Sequence, residues 1–434
     1  MGETTRYFFH SCILLGGLLW LAPMPAPAAS PDAEEFAAPL QATVTAAPNP
    51  PRRNASRVRA VKDAMTGETA LHAKTAQDAI AVAVGQRDAG CRLIRFGGDG
   101  FGWVATGMAD YAATDDPVAA RRLRREARFK AFVDARTRLT GCLRALSPEA
   151  RRRVIENLEQ TDAIRLALIN LAANDQERHE QALGILARGF VAYEVEDNSA
   201  GRVIRIHLVA TPKTATRLTR PTASAMETTS LREGFKQTQA EVGGGLIPPV
   251  GNRLIVVNAT GELALVGYAV NLIGANPDPA AQDQLRADAA KIATARATEA
   301  LVGLATGDDA GWQGGLDEAS QNHLRAAASG YGDTEPSARR FGQIRDLIMT
   351  TVKDDAGMQT LREGRLPSST MVKQFDGKDT VAVMASYTPS VRKRQMASPT
   401  QPATPPPAPM TEPAAPPVSP PTSQPIEPAP VEAR

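Results

Sequence analysis

Apolar residues alternate with small and polar ones in two stretches of the chain, and each stretch turns back at a glycine. The first reads CRLIRF-GGDG-FGWVATGMA from Cys91, and the second reads RLIVV-NATGE-LALVGYAV from Arg253. Apolar and β-branched runs on both sides of a glycine-containing turn are typical of β-hairpins. A proline and a long alanine-rich segment follow each hairpin, and then a second hairpin, at 189–212 and 364–389. The pattern predicts a β-β-α-β-β unit that occurs twice.

The two units share residues at a nearly constant spacing. Arg92, Leu93 and Ile94 recur 161 residues later in the chain. The residues that recur at a spacing of 160 are Gly107, Ala109, Pro117, Ala120, Ala127, Ala135 and Arg136. Because four of these seven are alanines in an alanine-rich chain, the order of the elements is the stronger indication of a repeat.

Small residues recur at helical spacing in the long segment of each unit. In the first unit the stripe consists of Leu123, Ala127, Ala131, Ala135, Leu139 and Leu143. In the second unit it consists of Leu285, Ala289, Ile292 and Ala293. A stripe of this kind marks the face of a helix that is buried, and alanines let the helix lie close to a sheet. We expect an α+β fold of two tandem β-β-α-β-β units with helical inserts, each sheet being antiparallel with one face covered.

Short motifs in both units resemble a known bacterial domain. The strand endings VATGMA and LVGYAV precede a proline-led helix that contains DAR at 134–136 or TAR at 294–296. This arrangement resembles the domain shared by small bacterial surface lipoproteins and the amino-terminal part of the flagellar H-ring protein T. The resemblance covers residues 90–212 and 252–389, although this chain lacks a lipobox and carries large inserts. It implies an envelope domain whose Gly-x-Ala strand end and alanine-rich helix are structural, with no catalytic residues.

The amino-terminal residues are predicted to be an export signal. Arg6 precedes the apolar run CILLGGLLWLA, which ends at Ala22, and APA at 26–28 places small residues where a signal peptidase reads. The apolar run is shorter than the about 20 residues that span a membrane. We therefore expect cleavage near Ala28 and a periplasmic or secreted protein without a stable transmembrane helix after processing.

The carboxyl-terminal residues are predicted to be a disordered, proline-rich tail. Residues 399–434 contain fourteen prolines in thirty-six positions, a composition that favours extended polyproline II and cannot form a core. The tail acts either as a solvated spacer or as a tether that docks on a partner. The predicted organisation is a signal peptide at 1–28, a disordered segment at 29–57, a first repeat with an amino-terminal helix at 58–220, a linker at 221–251, a second repeat at 252–390 and the tail at 391–434.

Two cysteines, Cys91 and Cys142, remain after export. An oxidising compartment favours a disulfide between them. However, Cys142 lies about 25 residues along the predicted helix, or about 37 Å from its start, and a disulfide needs Cα atoms within about 7 Å. This estimate favours two buried thiols unless the helix breaks near Thr140.

The helix of the first unit is strongly basic, whereas its counterpart in the second unit is nearly neutral. Its basic face is either solvated or attracted to an anionic partner, such as lipid headgroups or a cell-wall polymer. The candidate residues for such a contact are Arg121, Arg124, Arg125, Arg128 and Lys130. The whole chain has a net charge of only +2, and its few aromatic residues argue against nucleic-acid binding.

Motifs for catalysis, cofactors or metals are not found in the sequence. The histidines have no zinc-ligand spacing, and His207 alternates with isoleucines as a structural strand residue does. The acidic pairs at 308–309 and 354–355 suit helix capping better than calcium binding. We therefore expect no catalytic residue, metal or cofactor.

These patterns favour a non-enzymatic cell-envelope protein that acts as a structural or interaction module with a polyproline tether. The alternative is a periplasmic small-ligand-binding protein or an enzyme that uses the cleft between the two repeats.

Overall fold

Two mixed β-sheets form the framework of the protein in a computed structural model, which describes residues 42–43, 58–160, 175–257, 259–329, 346 and 349–390. The strands of the first sheet are β1 (Ala42–Thr43), β2 (Arg59–Lys62), β3 (Thr69–Ala73), β4 (Gly90–Phe96), β5 (Gly100–Asp110), β6 (Phe190–Asn198) and β7 (Val203–Ala210). Those of the second are β8 (Leu218–Thr219), β9 (Ala225–Thr228), β10 (Val250–Val257), β11 (Glu262–Leu272), β12 (Met371–Asp376) and β13 (Thr380–Tyr387). We call β1 with residues 58–217 the first half, and residues 218–390 the second half.

Six strands of the first sheet follow the same order as the six strands of the second, and β1 adds a seventh strand to the first sheet. The first runs β1-β6-β7-β5-β4-β3-β2, and the second runs β12-β13-β11-β10-β9-β8. The predicted α+β class, the two tandem units and all four predicted hairpins are confirmed. The expectation of purely antiparallel sheets is wrong, because β3 pairs with β4 and β9 with β10 in parallel. In each half the two parallel strands are joined by a helix, and we call this strand-helix-strand connection the parallel return.

Helices cover both faces of each sheet, which corrects the expectation of a single covered face. In the first half they are α1 (Ala76–Gly85), α2 (Pro117–Ala145), α3 (Pro148–Glu159), α4 (Asp175–Arg188) and α5 (Pro212–Arg217). In the second half they are α6 (Leu231–Gly244), α7 (Pro279–Thr306), α8 (Asp309–Gly314), α9 (Glu318–Ser329) and α10 (Ala356–Arg362). The long helices α2 and α7 lie on one face of their sheets, and the helices of the parallel returns, α1 and α6, lie on the other.

The same sequence device starts both long helices. Asp116 caps α2 by accepting a hydrogen bond from the Val118 amide at 2.8 Å, and Pro117 opens the helix. Asp278 caps α7 from the Ala281 amide at 3.1 Å, ahead of Pro279. Proline suits this first position because its missing N–H would have no partner inside the helix.

A glycine in each sheet lets the long helix pack directly on the strand backbone. A Cβ atom added to Gly107 would lie 2.2 Å from the Ala131 oxygen and the Ala135 nitrogen. The predicted stripe on α2 is buried from Ala127 through Leu143. Alanines therefore face the glycine, as the small-residue pattern indicates.

The second half has the same close contact but at a different helix position. An added Cβ at Gly267 would lie 2.0 Å from the Ala297 oxygen and 2.5 Å from the Leu301 nitrogen. A spacing of 160 would instead bring Lys291 and Ala295 to this point, so the alignment of the two helices in sequence is wrong by six residues. The stripe predicted for the second unit is also wrong at Ile292, which is 44% exposed rather than buried.

Several predicted boundaries also change. Residues 221–251 are not a linker, because they contain β9, α6 and the start of β10, all part of the second half. The first half ends at Arg217 rather than at 220, since β8 begins at Leu218 and joins the second sheet. Within the segment 29–57, predicted to be disordered, Ala42–Thr43 pairs in parallel with β6. The rest of that segment, the signal at 1–28 and the tail at 391–434 lie outside the described residues.

Cys91 and Cys142 form a disulfide, so the prediction of two thiols is wrong. Their Cα atoms are 6.3 Å apart, and the bond spans 51 residues of sequence. The estimate assumed that Cys91 lies near the start of α2. In the structure Cys91 lies opposite Ala105 in the sheet. Helix α2 runs back across the sheet, past Gly107, so that Cys142 near its end comes close to Cys91.

Among the described residues, no helix combines the length and the apolar character needed to cross a membrane.

Candidate functional site

Helix α2 contacts both halves of the molecule. Its alanine stripe lies on the first sheet, and its other side meets the second half. Arg121 donates a hydrogen bond to the Ile273 carbonyl at 3.0 Å and forms an ion pair with Asp379 at 3.0 Å. The ring of Phe129 lies edge-on to His323, with centroids 5.2 Å apart. We call this contact region between α2 and the second half the junction.

A buried ion-pair network links the halves beside the junction. Glu241 in α6 pairs with Arg220 and, at 2.7 Å, with Arg253, and all three side chains are 1% exposed. Arg220 also donates to the carbonyl of Phe190 in the first half at 2.8 Å and stacks over its ring at 4.2 Å. Burial raises the pKa of Glu241, but the two guanidinium groups outweigh that effect and lower it to about 2. The carboxylate is therefore charged at neutral pH and belongs to the core.

A cavity of about 180 Å³ lies at the junction, and arginines dominate its wall. Arg121, Arg124, Arg125 and Arg128 of α2 lie on one side. The opposite side is formed by the end of α6, the end of β11 and the turn between β12 and β13, which brings Lys378, Asp379 and Thr380. We call this space the arginine cavity.

The charges around the arginine cavity are only partly balanced. Asp197 of β6, 4% exposed, pairs with Arg124 at 3.5 Å and with Arg128 at 3.0 Å. Burial first, and then the charge of Arg128, lower the pKa of Arg125 to about 10, so Arg125 stays protonated at neutral pH. Three guanidinium nitrogens, Arg124 Nε, Arg125 Nη2 and Arg128 Nε, are buried without a hydrogen-bond partner among the residues that the structure describes.

The structure brings together four of the five residues named from the sequence. Arg121, Arg124, Arg125 and Arg128 line one cavity, whereas Lys130 lies outside it, 63% exposed and paired with Glu126 at 2.9 Å. Sequence reasoning missed the groups that face the arginines. These are Asp197, Lys378 and Asp379, which are distant in sequence and carry no motif. The only signal was the contrast in charge between α2 and α7.

A second cavity at the junction is mainly apolar and has a volume of about 190 Å³. Aromatic side chains from both halves form part of its wall, namely Phe129, Phe132, Tyr268 and Trp312. Polar side chains, among them Arg136 and Asn252, lie between them. We call it the aromatic cavity. Its walls and size suit a small, largely apolar molecule.

Other titratable groups with displaced pKa values have structural partners. His207 is buried and lies 2.9 Å from the Thr106 hydroxyl through Nδ1, and burial lowers its pKa to about 4. Asp308 and Asp355 cap α8 and α10, as the capping interpretation predicts. Asp355 also accepts a hydrogen bond from Tyr387, and burial and that carboxylate together raise the pKa of the tyrosine. Within the described part of the chain, no group of three or more His, Cys, Asp or Glu side chains could hold a metal ion.

Comparison with known proteins adds little to this geometry. No family model matches the chain, and no curated protein matches it. A crystal structure of the hypothetical protein FTT1539c from Francisella tularensis matches 66% of this chain and 82% of its own, with 12% identity and a TM-score of 0.22. That likeness carries no argument about fold or function.

Proposed function

We propose that the protein is an exported, non-enzymatic structural or interaction protein of the cell envelope, built from a duplicated domain and carrying a proline-rich tether. The shared strand order of the two sheets supports the duplication. The buried Arg220–Glu241–Arg253 network supports a scaffold whose halves are held in one arrangement.

The observation that carries the proposal is β12, which is the outermost strand of the second sheet among the residues that the structure describes. Along β12 nearly every residue is exposed, including Met371 at 61% and Val372 at 48%. The corresponding strand of the first sheet, β6, is largely buried and is flanked by β1. An exposed edge strand is a site where another chain can add a strand or a side-chain contact. We expect β12 to contact a protein partner in the envelope.

Envelope fractionation followed by crosslinking and mass spectrometry tests this role. The full chain is compared with a version that ends at Val391, which keeps the hydrogen bond from the Ser390 amide to Asp355 at 3.1 Å. We expect the full chain to sediment with the envelope and the shortened chain to remain soluble. Equal, freely soluble behaviour of both versions without any crosslinked protein would remove the support for a tethered scaffold.

A double substitution on the edge strand separates docking from tethering. Met371→Lys with Val372→Lys places charges on β12, and we expect it to abolish the crosslinked partner without changing sedimentation through the tail. Val61→Lys is the matched control, since Val61 is 42% exposed on β2 at the far edge of the first sheet. If the control removes the partner as effectively as the double variant, β12 is not the docking edge.

The aromatic cavity favours a second candidate, a protein that binds a small molecule between its halves. Aromatic walls with the polar groups of Arg136 and Asn252 at the junction are typical of ligand sites. A thermal-unfolding screen of the full chain tests it. A ligand at a hundredfold excess over its dissociation constant stabilises the folded state by about 2.7 kcal/mol, and Trp312→Ala should remove that shift.

A further inference from the structure

The arginine cavity holds more positive charge than the protein around it neutralises. Four arginines of α2 and Lys378 line it, while Asp379 is the one carboxylate of the described residues in its wall. Asp197 lies behind the arginines and is shared by Arg124 and Arg128. Five cationic side chains therefore share two carboxylates. Like charges held this close repel one another unless an anion lies between them.

The hydrogen-bond donors of these arginines point to the same imbalance. Arg125 Nη2 and Arg128 Nε are buried and make no hydrogen bond within the described residues. Arg124 Nε is also buried without a hydrogen bond and meets only the shared carboxylate of Asp197, at 3.5 Å. Buried donors in folded proteins are almost always paired, and an unpaired one costs stability. Two buried donors without an acceptor, and a third that meets only a shared carboxylate, indicate that a further acceptor comes from outside the chain.

The end of helix α6 explains only part of this charge. A Cβ added to Gly245 would lie 3.7 Å from Arg125 Cγ and 3.8 Å from Arg128 Cδ, so the arginines lie next to the carboxyl end of that helix. A helix end carries about half a negative charge. The amides of Gly245 and Leu246 already bond the Glu241 carbonyl, at the end of α6. The half negative charge of the helix end does not balance the excess of three positive charges in the cavity.

We propose that the arginine cavity binds a tetrahedral oxyanion, namely phosphate or the phosphate group of a phosphomonoester. Guanidinium groups match the oxygens of such a group with paired hydrogen bonds, and its charge of about −2 at neutral pH is close to the excess in the cavity. A cavity of about 180 Å³ has room for the anion and a small substituent or water. The site is independent of the edge strand and of the tail on which the proposed envelope role depends.

Bound phosphate would also bridge the two halves. The arginines belong to the first half, and Lys378 with Thr380 belongs to the second. Burial lowers the pKa of Arg125, and an anion in the cavity would oppose that effect. We therefore expect phosphate to raise the temperature at which the whole molecule unfolds.

Titration of the full chain with inorganic phosphate tests the site, with ionic strength held constant by chloride. Binding is measured by calorimetry and by the shift of the unfolding temperature. We expect saturable binding, at least a tenfold loss of affinity in Arg125→Met and a smaller loss in Lys378→Gln. Lys130→Gln is the matched control, because it removes one positive charge from the same helix outside the cavity. It should bind phosphate as the unchanged chain does.

The stability of the variants without phosphate distinguishes a ligand site from a structural one. If the site is empty without its anion, Arg125→Met removes a guanidinium whose Nη2 is buried without a hydrogen bond, and the variant unfolds at the same or a higher temperature. If the arginine instead stabilises the end of α6, the variant unfolds earlier and phosphate has no saturable effect. The latter result would overturn the proposal. Lys378 is exposed, so Lys378→Gln should fold whatever the outcome for Arg125.

Two further probes separate the possible sources of the phosphate group. Glycerol 3-phosphate represents a soluble phosphomonoester, and phosphatidic acid vesicles represent a lipid headgroup. Binding of either that is lost in Arg125→Met but kept in Lys130→Gln supports the site and identifies the source. Failure of phosphate and of both probes, or equal losses in the two variants, contradicts it. Neither result depends on the sedimentation and crosslinking that test the envelope role.

Discussion

The two halves of the molecule share a strand order but use the outer faces of their long helices differently. In the first half that face carries arginines that meet the second half and enclose a cavity. In the second half the side chains of Lys291 and Ile292 on α7 are exposed. Since both helices pack on their sheets through a glycine and alanines, the fold does not need the arginines. The comparison shows that the charge serves the junction.

The halves also differ in the contacts that stabilise them. The first half has a disulfide between β4 and α2, and strand β1 pairs with the outer side of β6. In the second half, β12 is the outermost strand among the described residues and is exposed. The buried Glu241 network joins this half to the first through Arg220 and the Phe190 carbonyl, in addition to the contacts at the junction. Substitutions at matched positions can separate the contributions of the two halves to the stability of the molecule.

The largest expected effect comes from breaking the network that joins the halves. Glu241→Gln leaves Arg220 and Arg253 buried without their carboxylate, and we expect a loss of about 4 kcal/mol in the free energy of unfolding. Urea unfolding followed by circular dichroism measures it. Glu262→Gln, at an exposed position, should change the free energy by less than about 0.5 kcal/mol. Similar losses in both variants would contradict a special role for Glu241.

Removing the disulfide should weaken the first half selectively. Cys91→Ala with Cys142→Ala is expected to cost about 3 kcal/mol, because the bond closes a loop of 51 residues in the unfolded chain. Hydrogen exchange by mass spectrometry should show lost protection in β4 and α2 and little change in β10 and α7. Equal loss in both halves would mean that they unfold as one cooperative unit.

Matched glycine substitutions test whether the close helix contact is equally important in both halves. Gly107→Ala and Gly267→Ala each press a methyl group onto helix backbone, and we expect each to cost about 2 kcal/mol. Gly141→Ala on α2 has open space around it and should stabilise the helix by about 0.5–1 kcal/mol. Thermal unfolding distinguishes these results. A neutral Gly267→Ala would show that α7 can move away from its sheet.

The smallest effect is a pH dependence confined to the first half. His207 lies opposite Thr106, where the second half has Ser386 opposite Val266. Its pKa is about 4 when folded and about 6.5 when unfolded, so the unfolded state binds more protons below pH 6.5. Stability is therefore present above that pH and declines as the pH falls towards 4.

The size of this effect can be measured by difference. Between pH 7 and pH 5.5 the decline attributable to His207 is about 1 kcal/mol. Comparing urea unfolding of the unchanged chain with His207→Gln at both pH values isolates it, since other groups titrate in both proteins. An identical pH dependence in the two would show that His207 is not held neutral by burial.

Much of the framework follows from local pattern. The four hairpins, the long helices with their aspartate caps and prolines, and the small-residue stripe of α2 depend on residues a few positions apart. The parallel returns through α1 and α6 were not predicted. In α6 the sequence LREGFKQTQAEVGGG buries polar residues such as Gln237 and Glu241, so its apolar pattern is weak and its glycines suggested a linker.

Of the candidate site, the sequence alone identified four arginines by the charge of one helix. It did not show that they line a cavity or that Asp197, Lys378 and Asp379 meet them, because these groups lie on segments far apart in the chain. The disulfide and the position of α7 on its sheet were also not predicted, because they too depend on contacts between distant segments. Periodicity determines which face of an element is buried, since it depends on neighbouring residues. Only tertiary packing decides which distant element that face meets and at what position along it.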